Sequence, residues 1–282
     1  MKIFTIRGYQ SYLKHINYVG DEYLEHLRLV DQFRPQYEAS FCVPGYSYPA
    51  QQFVQFECDF KYSQGFPDIN WRERLVCPKT HLNNRTRSCI HLSDLYLNLY
   101  QDSMIYVMEQ VTPLYSYLKS AYPNLIGSEY MGANFHPGEF DKRGIRNEDV
   151  TRLSFDSESL DGIMSFDVFE HIPEYKLAFS ECYRTLKPGA SMLFSVPFAP
   201  NEKKNIIRAV VEKDGSIHHN MKPEYHGDPV SERGILCFQH FGWEVLEDLL
   251  NAGFKDAFAL VFWSLEFGYF TQQIQFVAKK AE

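Results

Sequence analysis

Two glutamates stand twenty residues apart at the ends of short apolar runs, Glu109 after MIYVM and Glu129 after NLIGS. A carboxylate at a strand end can accept hydrogen bonds from both hydroxyls of a ribose, and an interval of about twenty residues separates the first strand from the ribose-binding acid in dinucleotide folds. One acid alone at a strand end is more often simply solvated; the spaced pair carries the signal. Farther on, His218, His219, Glu224, Tyr225, His226 and Asp228 crowd into DGSIHHNMKPEYHGDPV, residues 214 to 230. Histidine titrates near neutral pH, so a general base is the chemistry this segment suits. His226 is the first candidate, then His171, then His219. Each taken singly could equally be a surface or structural histidine. The spacing of these groups matches no metal-ligand signature, and no metal is expected.

These residues need a scaffold. From residue 104 apolar runs alternate with helical patterns: MIYVME, then PLYSYLKSAY as a helix, NLIGSEY, a short strand GIRNEDV, LDGIMSFDV, the helix EYKLAFSECYRTL, and ASMLFSVPF. That alternation predicts parallel strands joined by crossover helices. A polar insertion, residues 199 to 240, separates it from a helix at GWEVLEDLLNAG and two strands, DAFALVFWS and QIQFVAKK. Ligands of such sheets sit beyond the carboxyl ends of the strands. The first hundred residues differ in texture. They read as a helix at DEYLEHLRLVDQF with Asp21 as its N-cap, then loops and short strands, then a helix near SDLYLNLYQ. A cap at 1–100 and a second domain at 101–282 follow.

The run EDVTRLSFDSESLDGIMSFDVFEHI followed by LKPGASMLFSVPF resembles the class I S-adenosylmethionine-dependent methyltransferases, in the type with a D-V-x-E-H element and an L-x-P-G step. Ala190 stands where that type has its second glycine. The resemblance covers residues 104 to 200 well and 241 to 282 in outline. It implies an α/β, Rossmann-like seven-stranded mixed sheet whose last strand runs antiparallel, with S-adenosylmethionine as cofactor. It also implies roles: Glu129 for the ribose hydroxyls, Asp149 for the adenine amino group with Val150 beside the ring, and Ser165, Phe166 and Asp167 for the methionine part.

The loop after the first strand departs from the family. Where E/D-x-G-x-G-x-G is usual, this chain has Glu109-Gln110-Val111-Thr112-Pro113-Leu114-Tyr115, with Val, Pro and Tyr at the glycine positions. Bare backbone is needed there for close approach to the cofactor. Either the loop takes another path, with Pro113 opening a helix and Gln110 and Thr112 holding the cofactor beside Glu109, or the site is closed. The first gives a methyltransferase acting on a hydroxyl of a small or saccharide-like acceptor with a histidine base. The second leaves a binding protein, or another enzyme in the same shell.

In the cap, FCVPG and INWRERLVCPKTHLNN resemble a zinc knuckle that has lost one cysteine of each pair, Gly45 and Thr80 standing in their places. Cys42 and Cys77 remain, with Cys58, His81 and Cys89 at a distance, so the segment is expected to fold without metal as a lid or substrate wall. Arg72, Arg74, Arg85 and Arg87 either face an anion or pair with surface acids.

Composition bounds the partners. A net charge of −8 with no basic block argues against nucleic acid, and no apolar run reaches the roughly 18 residues that span a bilayer. Six scattered cysteines without a leader-like N-terminus suggest free thiols and a cytoplasmic protein that meets a small-molecule substrate and no membrane. Aromatics at 16% fit pocket walls or a core equally well.

Overall fold

The computed structural model describes residues 1–132, 134–227 and 234–282, so Asp228 of the insertion lies outside the described residues. The chain packs as two compact units. One holds Met1–Ile6, Gln10–Leu95 and Leu260–Ile274; the other holds Arg7–Tyr9, Tyr96–Ala259 and Gln275–Glu282. Residues 260–274, which continue the last strands, therefore go with the N-terminal segment.

The first unit opens with strand β1 (Lys2–Ile6) and helix α1 (Tyr9–Asp31). The helix begins well before the expected start, and Asp21 sits inside it as an exposed residue rather than at its cap. Its buried stripe is Tyr12, His15, Val19, His26 and Val30, at helical spacing but with two histidines among the apolar groups, which hides the pattern from hydropathy. His26 earns its place by bonding the Phe270 carbonyl at 2.7 Å. A hairpin follows, β2 (Phe41–Ser47) antiparallel to β3 (Gln52–Cys58), and helix α2 (Asn84–Tyr96) ends where a helix was expected to begin. Val43, Phe56, Cys58, Trp71, Leu75 and Cys77 form its core with Phe270. Cys58, Cys77 and Cys89 are buried and Cys42 is exposed. The arginines satisfy local acids: Arg74 meets Asp59 at 2.6 Å, and Arg72 and Arg85 meet Glu73 at 2.6 and 3.1 Å. Arg87 lies fully buried, its guanidinium 3.7 Å from the Phe56 ring centre.

The second unit carries β4 (Ile105–Val107), α3 (Pro113–Ala121), β5 (Ile126–Gly127), β6 (Leu160–Phe166), α4 (Tyr175–Thr185) and β7 (Leu186–Ser195). All of β4 is buried, as befits a parallel strand covered on both faces. Three short antiparallel pairs follow: β8 (Ile206–Ile207) with β13 (Gln239–His240), β9 (Ala209–Val211) with β10 (Ile217–His219), and β11 (Tyr225–His226) with β12 (Ile235–Leu236). Helix α5 (Glu244–Asn251) and strands β14 (Asp256–Ser264) and β15 (Tyr269–Lys279) complete the chain.

The seven-stranded sheet runs β1-β14-β15-β7-β6-β4-β5. Strands β5, β4, β6 and β7 are parallel and β15 is antiparallel to β7, the mixed Rossmann-like sheet expected. Its membership differs at one edge. The expected strand at 144–150 is reduced to the single parallel bridge Glu129↔Asn147, and the N-terminal β1 supplies the seventh strand at the opposite edge. The side chain of Gln110 explains part of this: its amide donates to the Gly144 carbonyl at 3.0 Å and its oxygen accepts from Arg146 N at 2.7 Å. Backbone groups that a strand would offer to a neighbour are thus spent on a side chain. Among the described residues no helix is long and apolar enough to cross a membrane.

Candidate functional site

The loop between β4 and α3 is held by its own polar groups. Thr112 caps α3 in an extended conformation, its Oγ1 accepting from Tyr115 N at 3.1 Å, and Pro113 occupies the first turn where its missing N–H does no harm. The Thr112 hydroxyl donates in turn to Glu109 Oε2. Backbone N–H groups of Gln110 and Val111 point at Glu129 Oε1, 2.7 and 3.1 Å away. The glycine-free loop has therefore folded around the acid that was expected to meet a ribose. It also borrows a glycine from the next strand. A Cβ on Gly127 would lie 2.5 Å from the Glu109 carbonyl and 2.5 Å from the Tyr115 ring, so the bulk of Tyr115 is accommodated by bareness on β5.

Of the other candidates, Asp149 and Val150 follow the bridge at Asn147, and Ser165, Phe166 and Asp167 stand at the end of β6. Asp149 is half-buried; its Oδ1 accepts from Thr151 N and Oγ1, and its Oδ2 carries no hydrogen bond among the described residues. Val150 beside it is also half-buried. Ser165 is wholly buried near the end of β6 and its hydroxyl has no partner among the described residues. Phe166 is buried, and Asp167 turns the chain with φ 57°, its Oδ1 accepting from Ser195 Oγ at 2.8 Å.

Two residues past Asp167 a 3-10 turn, Phe169–His171, opens a second cluster. Gln239, itself buried, donates from Nε2 to the Phe169 and Ile172 carbonyls at 2.7 and 3.0 Å and fixes this turn against β13. His171 and His226, the first two candidates for a base, are brought together with ring centres 4.9 Å apart. Between them stands Glu170, fully buried, with Oε1 3.6 Å from His171 Nε2 and 3.5 Å from His226 Nδ1. His226 Nε2 donates to Glu224 Oε1 at 2.9 Å; His240 Nε2 donates to the same atom at 3.0 Å, and Arg208 reaches Glu224 Oε2 at 3.0 Å. Burial works to raise the Glu224 carboxyl, but the bonds from His226 and His240 outweigh it and hold it below its ordinary range. Glu170 first, against the opposing effect of burial, and then Glu224 hold His226 up, to about 9. At neutral pH it is a cation between two carboxylates, which removes it as a free base in this state. His219 lies exposed on β10 and is not brought to either cluster.

In the sequence Glu170 stands out only as part of the D-V-x-E-H element, and Arg208, Gln239 and His240 carry no signal. The E-H dipeptide after the strand was the available signal; Arg208 lies between β8 and β9, and Gln239 and His240 form β13, with no local pattern.

Residues 121–194 match the family described as a methyltransferase domain. The cofactor of such a domain is S-adenosylmethionine. No curated protein matches this chain. Among solved structures it is similar to an S-adenosylmethionine dependent methyltransferase from Mesorhizobium loti (12% identity, 68% of this chain and 96% of that one, TM-score 0.39). It is also similar to S-adenosylmethionine-dependent methyltransferases from Methanosarcina mazei (17%, 68% and 96%, TM-score 0.38). A third is the Burkholderia thailandensis 1,6-didemethyltoxoflavin-N1-methyltransferase with bound 1,6-didemethyltoxoflavin and S-adenosylhomocysteine (13%, 70% and 78%, TM-score 0.42).

The donor set of the methyltransferase domain fits that cofactor on the adenosine side. The open Oδ2 of Asp149 suits an amino group, and on the methionine side the buried hydroxyl of Ser165 has no partner among the described residues. On the loop side the fit is tighter, because Glu129 Oε1 is already bonded to two amides, although a carboxylate has about four lone-pair sites.

Proposed function

We propose that the protein methylates a hydroxyl of a small-molecule or saccharide-like acceptor, with S-adenosylmethionine as donor. The observation that carries this reading is that Glu129, Asp149 and Asp167 all fall within the methyltransferase-domain match, with Glu129 and Asp167 just past the ends of parallel strands β5 and β6. When bound, S-adenosylmethionine supplies a methyl group on a sulfonium. Glu129 would hold the ribose hydroxyls and Asp149 the adenine amino group, with Val150 beside the ring. Ser165, Phe166 and Asp167 would hold the methionine part, with Glu109, Gln110 and Thr112 shaping the loop over it. Direct displacement asks the chain mainly for alignment and exclusion of water. A hydroxyl must also lose its proton, and the Glu170–His171–His226 cluster, which begins just after Asp167, would be the group to take it. A net charge of −8 favours a small acceptor over nucleic acid, and six free thiols accord with the cytoplasm.

A second reading, a binding protein that has kept the sheet, is favoured by one feature: the amides of Gln110 and Val111 already occupy Glu129. Calorimetric titration with S-adenosylmethionine and S-adenosylhomocysteine separates the two. Methyl transfer requires micromolar binding that weakens at least tenfold in Asp149→Ala. Absence of heat and of any thermal shift at millimolar ligand would leave the second reading standing.

A further inference from the structure

We propose that Glu170, His171 and His226 form a binding site for one first-row divalent transition-metal ion, such as zinc, manganese or cobalt. Three observations converge on it. The first is the state of Glu170: its side chain is fully buried, neither carboxylate oxygen makes a hydrogen bond among the described residues, and the imidazoles of His171 and His226 face it only at 3.6 and 3.5 Å. A buried carboxylate without donors is costly unless a cation meets it.

The second is distance. Charge-assisted N–H···O bonds run about 2.7–2.9 Å. Glu170 Oε1 stands 3.5 and 3.6 Å from the two imidazole nitrogens, too far for such bonds. Metal–ligand bonds of about 2.1 Å place neighbouring ligand atoms roughly 3.0–3.4 Å apart. The three atoms lie within 4.8 Å of one another, so a small contraction closes them around one ion.

The third is the outer support. His171 Nδ1 is 2.8 Å from the Leu236 carbonyl, which can only accept, so Nδ1 carries a hydrogen and Nε2 is the nitrogen that faces Glu170. His226 Nε2 donates to Glu224, leaving Nδ1 to face Glu170. Ligating histidines are held in this way, the distal N–H on a carbonyl or a carboxylate. Glu224 is itself fixed by His240 and Arg208. Two imidazoles and one carboxylate suit transition-metal ions better than magnesium or calcium, and three protein ligands leave positions open.

A neighbouring trio, Glu224, His226 and Cys237, also lies within 4.8 Å, but there the carboxylate is already bonded to two histidines and an arginine. Burial also keeps the Cys237 thiol protonated, pushed up to about 12. The Glu170 trio is the site.

Use of the ion in methyl transfer rests on the reading proposed above; its binding does not. An acceptor oxygen at an open position would release its proton to solvent. Its lone pair would form the C–O bond as the C–S bond breaks, leaving S-adenosylhomocysteine.

The test uses the full chain after chelator treatment, titrated with Co2+ by calorimetry and by visible absorption, without S-adenosylmethionine. One equivalent should bind, with d–d bands of a nitrogen–oxygen site. His171→Ala and Glu170→Gln should weaken binding at least 100-fold, Glu224→Gln by 10- to 100-fold, and the exposed His218→Ala not at all. Wild-type protein that is folded by thermal melting yet binds no Co2+ overturns the proposal, with imidazolium His226 alone then answering Glu170. Equal loss in His218→Ala overturns it too. Cobalt binding without any S-adenosylmethionine binding would sink the methyltransferase reading and leave the metal site; the converse would do the reverse.

Discussion

Tyr115 and Gly127 show at the residue scale how a lost glycine loop is rebuilt. The ring fills space where a bare backbone is usual, and Gly127 on β5 yields the room, with neighbours 2.5 Å from where its Cβ would be. Gly127→Ala should therefore lower stability by about 2–3 kcal/mol through overpacking. Adding Tyr115→Ala should recover only part of that loss, because the Glu109 carbonyl is just as close. Urea unfolding of the two single variants and the double variant would show it; full additivity would mean that the ring and the glycine do not share this space. Gly127 could not be picked out from the sequence, since the clash depends on a side chain twelve residues earlier and on the path of the loop.

At the scale of elements, helix α3 was legible from start to end because its signals are local: Thr112 at the N-cap, Pro113 behind it, and an apolar face at Leu114 and Leu118. Thr112→Ala removes the bond to Tyr115 N and should cost about 1 kcal/mol. Thr112→Ser, which keeps the hydroxyl, should cost little. If both variants lose stability equally in chemical denaturation, the cap is not what the hydroxyl provides. The strand expected at 144–150 shrinks to one bridge in a setting that is not local: Gln110, far away in sequence, takes the hydrogen bonds at Gly144 and Arg146. Helix α1 was read too short at its start, where His15 lies on its buried face.

At the scale of the whole molecule, the buried histidines of the N-terminal unit make acid stability a test of its core. Burial lowers His15, His26 and His91, the last to about 4. Their unfolded values lie near 6.5. Between those values the unfolded chain binds protons that the folded chain refuses, so stability falls as pH drops from about 6.5 toward 4 and is untouched by these groups above that range. His91 stacks on Tyr48 with ring centres 3.8 Å apart. His91→Phe, which preserves the stack, should flatten the fall in urea midpoint between pH 7 and 5; an unchanged slope would rule His91 out as a contributor.

The sequence by itself determined the class of the sheet, its parallel strands and crossover helices, the acids at the strand ends, and the absence of the usual glycine loop. These follow from periodicity and from residue types at fixed offsets, which are local properties. Only the tertiary structure decided that Glu129 is bound by its own loop, that β1 replaces the missing edge strand, and that Glu170 and His171 meet His226 while His219 stays in solvent. Those outcomes rest on contacts between segments far apart in the chain, where a side chain's partner is set by how the elements pack and not by its neighbours in sequence.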